Sequence, residues 1–153
     1  MRRHTFALGA GGRQYDHEVL DISRVVRVVK GGRRFRFRAT VLVGDRNGRV
    51  GMGIGKSRDV QQAIQKAQDQ AGRDMQLVVM KDGTIPHVVE AKFKGAQITL
   101  RPARPGTGII AGAVIRAIVD LAGVRDIVSK VYGSSNRISN ARATLKALGQ
   151  LKA

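Results

Sequence analysis

Strict alternation of polar and apolar positions is the most informative pattern in the first half of the chain. The basic positions are Arg34, Arg36 and Arg38, and the apolar positions between and after them are Phe35, Phe37, Ala39, Val41 and Val43. A period of two predicts a β-strand with one basic face and one apolar face. The β-branched segment 19–30 predicts a preceding strand, and Gly31-Gly32 between the two predicts a hairpin turn.

A turn, a third strand and a helix complete this first unit. Asn47-Gly48 predicts a two-residue turn into a strand over residues 49–54. Asp59 and Gln62 have the spacing of a capping box at the start of a helix. The apolar positions that follow lie on one stripe at helical spacing: Val60, Ala63, Ile64, Ala67, Ala71 and Met75. The pattern therefore predicts three antiparallel strands with one helix laid across them.

The second half also alternates strands and helices, but without repeating the sequence of the first half. The predicted strands cover residues 77–80, 88–93, 97–101 and 126–132, and residues 81–83 predict a turn. Gly106-Thr107-Gly108 is predicted to open a helix that ends at Leu121, and Ser139 to cap a last helix that ends at Leu148. The positions of the first helix predicted to face the sheet are Ile110, Ala113, Val114, Ala117, Ile118 and Leu121.

These elements predict an α+β protein with two small two-layer α/β domains. Residues 19–78 are predicted to form the first domain and residues 84–153 the second. Residues 1–18 are Gly-rich and contain arginine, and they are predicted to be a flexible basic arm.

The net charge indicates the class of partner. The chain has 28 Lys and Arg residues against 11 Asp and Glu, a formal net charge of +17. Nucleic acid is the expected partner of such an excess, because phosphates bind Lys and Arg with release of counterions. A membrane would require a basic amphipathic helix or an apolar span of about 20 residues. The longest apolar run, residues 109–115, ends at Arg116. We therefore expect a cytoplasmic protein with no membrane partner.

The residue types that most catalytic sites require are scarce. The chain contains no cysteine and three histidines, His4, His17 and His87, which lack metal-ligand spacing. No pair of acidic residues stands out as a general acid and base. The sequence predicts no enzyme activity, no catalytic or metal-binding residues, no cofactor and no small-molecule substrate.

One motif resembles part of a nucleotide-binding P-loop. Residues 51–57 (GMGIGKS) end in its Gly-Lys-Ser, but the glycine required five positions before Gly55 is replaced by Val50. We expect Lys56 and Arg58, at the junction of strand and helix, to bind a phosphate of an RNA backbone instead. A phosphate-handling enzyme built on residues 51–57 remains an alternative at this point.

The predicted hairpin is the strongest candidate for an RNA contact. Its basic residues, with no acidic residue among them, are Arg24, Arg27, Lys30, Arg33, Arg34, Arg36 and Arg38. Gly31 and Gly32 would form a narrow tip that can approach a groove closely. The alternative is a charge run that is only solvated. Phe35 and Phe37 share a predicted face with the core strand residues, which favours core packing over base stacking.

Several motifs together resemble the small-subunit ribosomal protein five family of bacterial type. In the first half these are residues 29–35 (VKGGRRF), 43–51 (VGDRNGRVG) and 53–56 (GIGK). In the second half they are residues 106–112 (GTGIIAG), 122–124 (AGV) and 132–136 (YGSSN). The chain departs from the family pattern at Val26, Ile54 and Arg137, where serine, an aromatic residue and proline are usual.

The resemblance implies an N-terminal domain similar to double-stranded RNA-binding domains and a C-terminal α/β domain with a left-handed crossover. It also implies a place in the small ribosomal subunit, beside ribosomal protein four and near the path by which messenger RNA enters. Members of the family bind small-subunit rRNA through the first hairpin, support subunit assembly and help to maintain decoding accuracy.

A second surface, for a protein partner, is expected along the helix after residue 106. Gly108 and Arg116 match family positions at the boundary with ribosomal protein four. Gly108, Gly112, Arg116 and Asp120 recur every four residues, and a glycine inside a helix suggests that something packs closely against it. We therefore expect Gly106, Gly108, Gly112 and Arg116 to contact that protein. The alternative is a strand of the same domain packed there, with Arg116 and Asp120 forming an exposed pair.

For the function of the whole chain, the alternative is a free-standing double-stranded RNA-binding regulator.

Overall fold

The computed structural model of the protein describes residues 4–8 and 13–152. The first sheet contains β1 His4–Leu8, β2 Arg13–Val29, β3 Gly32–Gly44, β4 Arg49–Ser57 and β5 Gln76–Leu77, with α1 Val60–Arg73 between β4 and β5. The second part contains β6 Val89–Phe93, β7 Ala96–Pro102, β8 Ile109–Ile110, α2 Ala113–Ala122, β9 Ile127–Gly133 and α3 Arg137–Leu148. The α+β class and the two mixed α/β units are those predicted from the sequence.

The N-terminal segment was predicted to be a flexible arm over residues 1–18. Of these, residues 1–3 and 9–12 lie outside the described part of the chain. Strand β1 pairs antiparallel with the first residues of β2, from His4↔His17 to Leu8↔Arg13. Strand β2 therefore begins at Arg13, earlier than the strand predicted from residue 19.

The first sheet has the strand order β1-β2-β3-β4-β5 and is antiparallel throughout. The predicted apolar face of β3 is confirmed. Its residues Ala39, Val41 and Val43 are buried in one cluster with three alanines of α1, Ala63, Ala67 and Ala71. These small helix residues allow the helix axis to come close to the sheet.

Alternate glycines in β4 make this close approach possible. A Cβ added to Gly51, Gly53 or Gly55 would overlap the backbone carbonyl oxygen of an alanine of α1. The overlapped atoms are Ala71 O for Gly51, Ala67 O for Gly53 and Ala63 O for Gly55. Because backbone atoms cannot move aside as a flexible side chain can, the strand face beneath α1 requires glycine at these positions.

Helix α1 begins where the sequence predicts but is capped differently. Asp59 is the N-cap residue, yet its side chain makes no capping hydrogen bond. Gln62 Oε1 instead accepts a hydrogen bond of 2.9 Å from the Ser57 hydroxyl, so the expected capping box is not formed. The helix ends at Arg73, and Met75 packs against the same cluster from the segment after it.

The second sheet has the order β6-β7-β9-β8, with β8 and β9 parallel and the other pairs antiparallel. The turn predicted at residues 81–83 is confirmed. Lys81 and Thr84 form an isolated antiparallel bridge, and Asp82 and Gly83 between them both have positive φ, 52° and 80°. Positive φ at both central residues is the geometry of a type I′ turn.

The helix predicted to open at Gly106-Thr107-Gly108 begins instead at Ala113. Gly106 and Gly108 have φ of 88° and 75°, which a right-handed helix excludes. The Gly108 N–H donates a hydrogen bond of 2.7 Å to Asp126 Oδ1, and the chain then runs parallel to β9 as β8. Gly112 is the N-cap residue of α2 and not an interior helix residue. The inference that its lack of a side chain marks close packing within a helix was therefore wrong.

The last helix also begins differently from the prediction. Asn136, not Ser139, is the N-cap of α3, and its side chain accepts a hydrogen bond of 3.0 Å from the Ser139 N–H. Asparagine is among the preferred N-cap residues for this reason.

Helix α2 packs between the two sheets. Leu42 and Val50, on the face of the first sheet opposite α1, belong to one buried cluster with Ile118 and Leu121 of α2 and Ile98 of β7. Ile115 and Val119 are fully buried too, although helical periodicity did not predict them to face the sheet. Ile110 and Ala113, by contrast, were predicted to face the sheet and are exposed. A single apolar stripe underestimates the buried arc of a helix that has neighbours on two sides.

The loop between β3 and β4 closes the carboxyl end of α2. Arg46 N–H and Gly48 N–H donate hydrogen bonds of 2.9 Å to Leu121 O and Ala122 O, carbonyls that have no partner within the helix. Arg46 and Gly48 have φ of 55° and 91°. A four-residue loop replaces the predicted two-residue turn, because these N–H groups must point at the neighbouring helix.

Among the described helices, none has the length and apolar character needed to cross a lipid bilayer.

Charged residues line the same boundary between the two halves. Arg46 Nε lies 2.8 Å from Asp16 Oδ2, and Arg46 Nη2 lies 3.5 Å from Asp120 Oδ2.

Burial, and secondarily the Asp120 carboxylate, raise the pKa of Glu18 above its usual value of 4.5. The negative charge of Glu18 is therefore less favourable in the folded protein than in the unfolded chain.

A pH-dependent stability difference is expected from Glu18. A carboxyl whose pKa is raised by folding binds protons more readily in the native state, so stability falls as the pH rises from 4.5 through the raised value. Glu18→Gln should therefore raise the thermal unfolding temperature at pH 7, and the gain should shrink as the pH is lowered to about 4. Thermal unfolding followed by circular dichroism at both pH values measures this. An unchanged or lower unfolding temperature at pH 7 contradicts it.

Candidate nucleic-acid interface

Strands β2 and β3 extend beyond the rest of the first sheet. Their pairing runs from Asp16↔Gly44 to Val29↔Gly32, whereas β4 pairs with β3 only as far as Phe37↔Ser57. Helix α1 begins at Val60. Residues 25–36 therefore form a two-stranded ribbon, and this ribbon with its turn is called the hairpin below.

The hairpin turn consists of Lys30 and Gly31. Gly31 has φ of 89°, and a Cβ added there would have open space around it. Gly32 is the first residue of β3, and its φ lies outside the left-handed region. Of the two glycines predicted to form the tip, only Gly31 therefore adopts a backbone conformation that favours glycine.

One face of the hairpin is cationic. Residues directly opposite each other in an antiparallel pair share a face, and the register pairs Arg27 with Arg34 and Val25 with Arg36. Lys56 of β4 joins this face opposite Arg38. A cleft of about 410 Å³ is lined by Arg27, Arg34, Arg36 and Lys56 among other residues. We call these four residues the cationic face.

The charges of the cationic face have no counter-charge within the described chain. Of the described carboxylates, none lies within 4.0 Å of Arg27, Arg34, Arg36 or Lys56. Four cations held close together without acidic partners repel one another, and a polyanion relieves that repulsion.

Arg38 points to the same side but is held by its neighbours. Its Nη2 lies 3.9 Å from Asp21 Oδ2 and donates a hydrogen bond of 3.3 Å to Ser23 Oγ. The Ser23 hydroxyl in turn donates to Asp21 Oδ2 at 2.7 Å. Arg38, expected to bind RNA, is thus partly neutralised and marks the inner end of the cationic face.

The remaining basic residues predicted to bind RNA point elsewhere. Arg24 and Arg33 lie opposite Phe37 and Val28, on the face away from the cationic cleft. Lys30 is exposed in the turn, and Arg58 is exposed between β4 and α1. The structure thus divides the predicted RNA-binding residues between two faces and a tip.

The two phenylalanines have different environments. Phe37 packs against the core beneath α1, as predicted. Phe35 was also expected to pack in the core, but it is 43% exposed and the Arg24 guanidinium carbon lies 3.7 Å from its ring centroid. The helix does not extend far enough to cover Phe35.

The segment that resembles a P-loop lies in strand β4. Residues 51–57 pair with β3 in an extended conformation, and their glycines face α1. An extended strand does not wrap its N–H groups around a phosphate as a P-loop does.

The predicted protein-binding residues lie beside two neighbouring clefts in the second half. Gly106 and Gly108 line a cleft of about 690 Å³, and Arg116 lines one of about 550 Å³. Both clefts are also bordered by Gly123 and Arg125. Gly112 is exposed at the N-cap of α2 and lines neither of them. Gly106, Gly108 and Arg116 therefore share one surface.

Arg116 does not form the alternative ion pair with Asp120. Asp120 pairs with Arg46, and within the described part of the chain no carboxylate lies within 4.0 Å of the Arg116 guanidinium. Arg116 is exposed and available to a partner.

Two contacts between the halves had no signal in the sequence pattern. Arg137 Nη1 donates a hydrogen bond of 3.0 Å to Leu20 O and lies 3.6 Å from Asp21 Oδ1. Leu20 lies at an irregularity in the β2–β3 register, and this exposes its carbonyl. The only hint was that Arg137 occupies a position where the resembled family usually has proline.

Comparison with known proteins covers both halves. The family model for ribosomal protein S5, N-terminal domain, matches residues 15–79, and that for ribosomal protein S5, C-terminal domain, matches residues 91–153. A relative named small ribosomal subunit protein uS5 from Thermus thermophilus is 53% identical over 138 residues, 90% of this chain and 85% of its own length. Proteins of the same name from Treponema pallidum and Campylobacter jejuni are 51% and 50% identical over 139 residues, 91% of this chain in each case. These cover 81% and 95% of the relatives.

Proposed function

The chain belongs to the ribosomal protein S5 family, and from this premise we propose that its hairpin is the principal contact with small-subunit rRNA. As a member of that family it is a structural constituent of the small ribosomal subunit and not an enzyme. It associates there with rRNA and with other proteins of the subunit.

The cationic face is the observation that carries the assignment of the RNA contact. Its four side chains lie on a ribbon that projects from the body of the protein, and the described residues offer them no carboxylate. The spacing of neighbouring strands, about 4.8 Å, lets such side chains reach successive phosphates of one RNA backbone. Lys30 at the turn and Arg58 at the base extend the contact in both directions.

The two parts of the chain have different roles in this proposal. Residues 19–78 form the domain that binds rRNA, and residues 84–153 form the domain that meets a neighbouring protein. The surface with Gly106, Gly108 and Arg116 contacts ribosomal protein four, near the path of incoming messenger RNA. Two observations support this assignment. Arg116 is exposed, and no described carboxylate lies within 4.0 Å of it. A Cβ added at Gly106 or Gly108 would meet no other atom within 4 Å. Contacts at this boundary would influence decoding accuracy.

Co-sedimentation separates this function from that of a free-standing double-stranded RNA-binding regulator. A tagged copy of the full chain should migrate with small subunits in sucrose gradients at high salt, because a constituent is held by many contacts. A regulator bound only through phosphates should dissociate there. Recovery of the chain only at the top of the gradient contradicts the proposed function.

Arg116→Leu should separate the protein-binding surface from the RNA contact. Loss of the Arg116 guanidinium should weaken the contact with ribosomal protein four and raise misreading in a reporter assay. The affinity of the isolated chain for rRNA should change by less than about twofold. Arg73→Leu, a change at another exposed arginine, on α1, is the matched control. Gly108→Arg tests the same surface less cleanly, since φ of 75° adds backbone strain. If Arg116→Leu impairs rRNA binding as strongly as substitutions in the cationic face, the two surfaces are not separate.

A further inference from the structure

The hairpin face opposite the cationic face carries exposed apolar side chains. Val26 and Phe35 share this face by register, and they are 48% and 43% exposed. Val28, nearer the tip, is 75% exposed. Val28 and Phe35 lie nearer the tip than Phe37↔Ser57, the last pair between β3 and β4, and α1 begins only at Val60.

On this face the guanidinium of Arg24 lies over the ring of Phe35. The distance of 3.7 Å from guanidinium carbon to ring centroid is that of a close cation–π contact. Register explains the pair: Arg24 is opposite Phe37 and Val26 is opposite Phe35, so Arg24 reaches Phe35 along the diagonal. The contact orients the ring, and it leaves part of the ring and the outer guanidinium plane exposed.

We propose that the Arg24–Phe35 pair is a stacking platform for an unpaired nucleobase of the small-subunit rRNA. The inference rests on the proposed function and adds to it a second mode of contact, on the opposite side of the hairpin. Every nucleobase offers a flat π-face that stacks on an aromatic ring or on a guanidinium plane. Val26, directly opposite Phe35, provides apolar surface beside such a stack.

Charge favours RNA over an apolar protein segment as the occupant. Arg24 and Arg33 lie on this face, and the described residues between 22 and 37 include no acid. A nucleotide presents a base to the platform and a phosphate to these arginines at the same time. With phosphates on the cationic face as well, the ribbon would enter a junction of the RNA and contact it on both sides.

The chain offers an unusually direct spectroscopic test because it contains no tryptophan. Phe35→Trp places a fluorescent indole at the platform itself. Leu77→Trp is the control, since Leu77 lies on β5 and is 67% exposed. On titration with small-subunit rRNA, the indole fluorescence of the Phe35→Trp protein should be quenched and shielded from acrylamide, since a stacked base does both. The fluorescence of the control protein should stay nearly constant. Quenching that is absent from Phe35→Trp, or equal in both variants, overturns the proposal.

Affinity provides the second readout. Phe35→Leu keeps an apolar side chain but removes the π-face, and it should weaken rRNA binding about tenfold. The salt dependence should be unchanged, because no charge is removed. Equal thermal unfolding temperatures of variant and wild type verify that the fold is intact.

The outcomes distinguish the inference from the proposed function. If wild type binds rRNA and Phe35→Leu binds equally well, the stacking platform is wrong and the proposed function stands. If Phe35→Leu binds rRNA normally but is incorporated poorly into subunits, a protein occupies this face and the platform is again wrong. If wild type itself shows no saturable rRNA binding, the proposed function fails and the platform with it.

Discussion

Replacing Arg27, Arg34 and Arg36 together by alanine is expected to weaken binding of the chain to small-subunit rRNA about a hundredfold at physiological salt. These residues share one face of a projecting ribbon and have no carboxylate partner within the described residues. Each phosphate contact at that salt contributes roughly fivefold through released counterions. Filter binding or electrophoretic mobility shift with purified protein measures the loss.

A matched variant controls for net charge. Replacing Lys66, Arg73 and Lys81 by alanine removes the same number of charges from exposed positions on α1 and in the turn that Lys81 and Thr84 close. If long-range attraction alone held the RNA, both triple variants would lose affinity equally. The proposed contact requires a much smaller loss in the control.

Gly53→Ala is expected to destabilise the protein by about 3 kcal/mol or more, enough to unfold a marginally stable domain. The added Cβ would overlap Ala67 O in the backbone of α1. Neither a sheet strand nor a helix can yield locally without breaking the packing of Ala63, Ala67 and Ala71. Urea denaturation followed by circular dichroism measures the change.

The same substitution in the neighbouring strand provides the comparison. At Gly32 an added Cβ meets nothing within 4 Å, and φ lies outside the left-handed region. Gly32→Ala should leave the unfolding free energy within about 0.5 kcal/mol of wild type. Similar losses from both substitutions would mean that β4 glycines are not required for helix packing.

The alternating segment shows what sequence patterns predict well. Period two placed Arg34 and Arg36 on one face and Val41 and Val43 on the other, and the register agrees. The pattern has this power because side chains of a strand must alternate. The hairpin position and the helix stripe of Ala63, Ala67 and Ala71 followed from equally local rules.

Contacts between distant segments explain where the predictions failed. The start of α2 was misplaced because Gly108 N–H is directed to Asp126, a residue far along the chain. The turn at Asn47-Gly48 was lengthened because its N–H groups cap a helix of the other half. Periodicity within one segment carries no information about such partners.

The candidate site was likewise predicted only in part. Its basic residues and its tip could be read from the sequence, and the register explains how they are divided between faces. The exposure of Phe35 depends on where α1 begins relative to β3, which residue patterns did not give. The pairing of Arg38 with Asp21 depends on the register of β2 and β3, which places Ser23 opposite Arg38 and Asp21 on the diagonal of the same face.

The salt dependence of rRNA binding tests the central claim, that the cationic face contacts phosphates, most directly. Plots of log affinity against log salt concentration should be linear for wild type and for the variant lacking Arg27, Arg34 and Arg36. The slope of the variant should be shallower by about 2.7, since each lost phosphate contact removes about 0.9. The control variant lacking Lys66, Arg73 and Lys81 should keep the wild-type slope. Parallel lines for wild type and the cationic-face variant, with both proteins folded, would contradict the account.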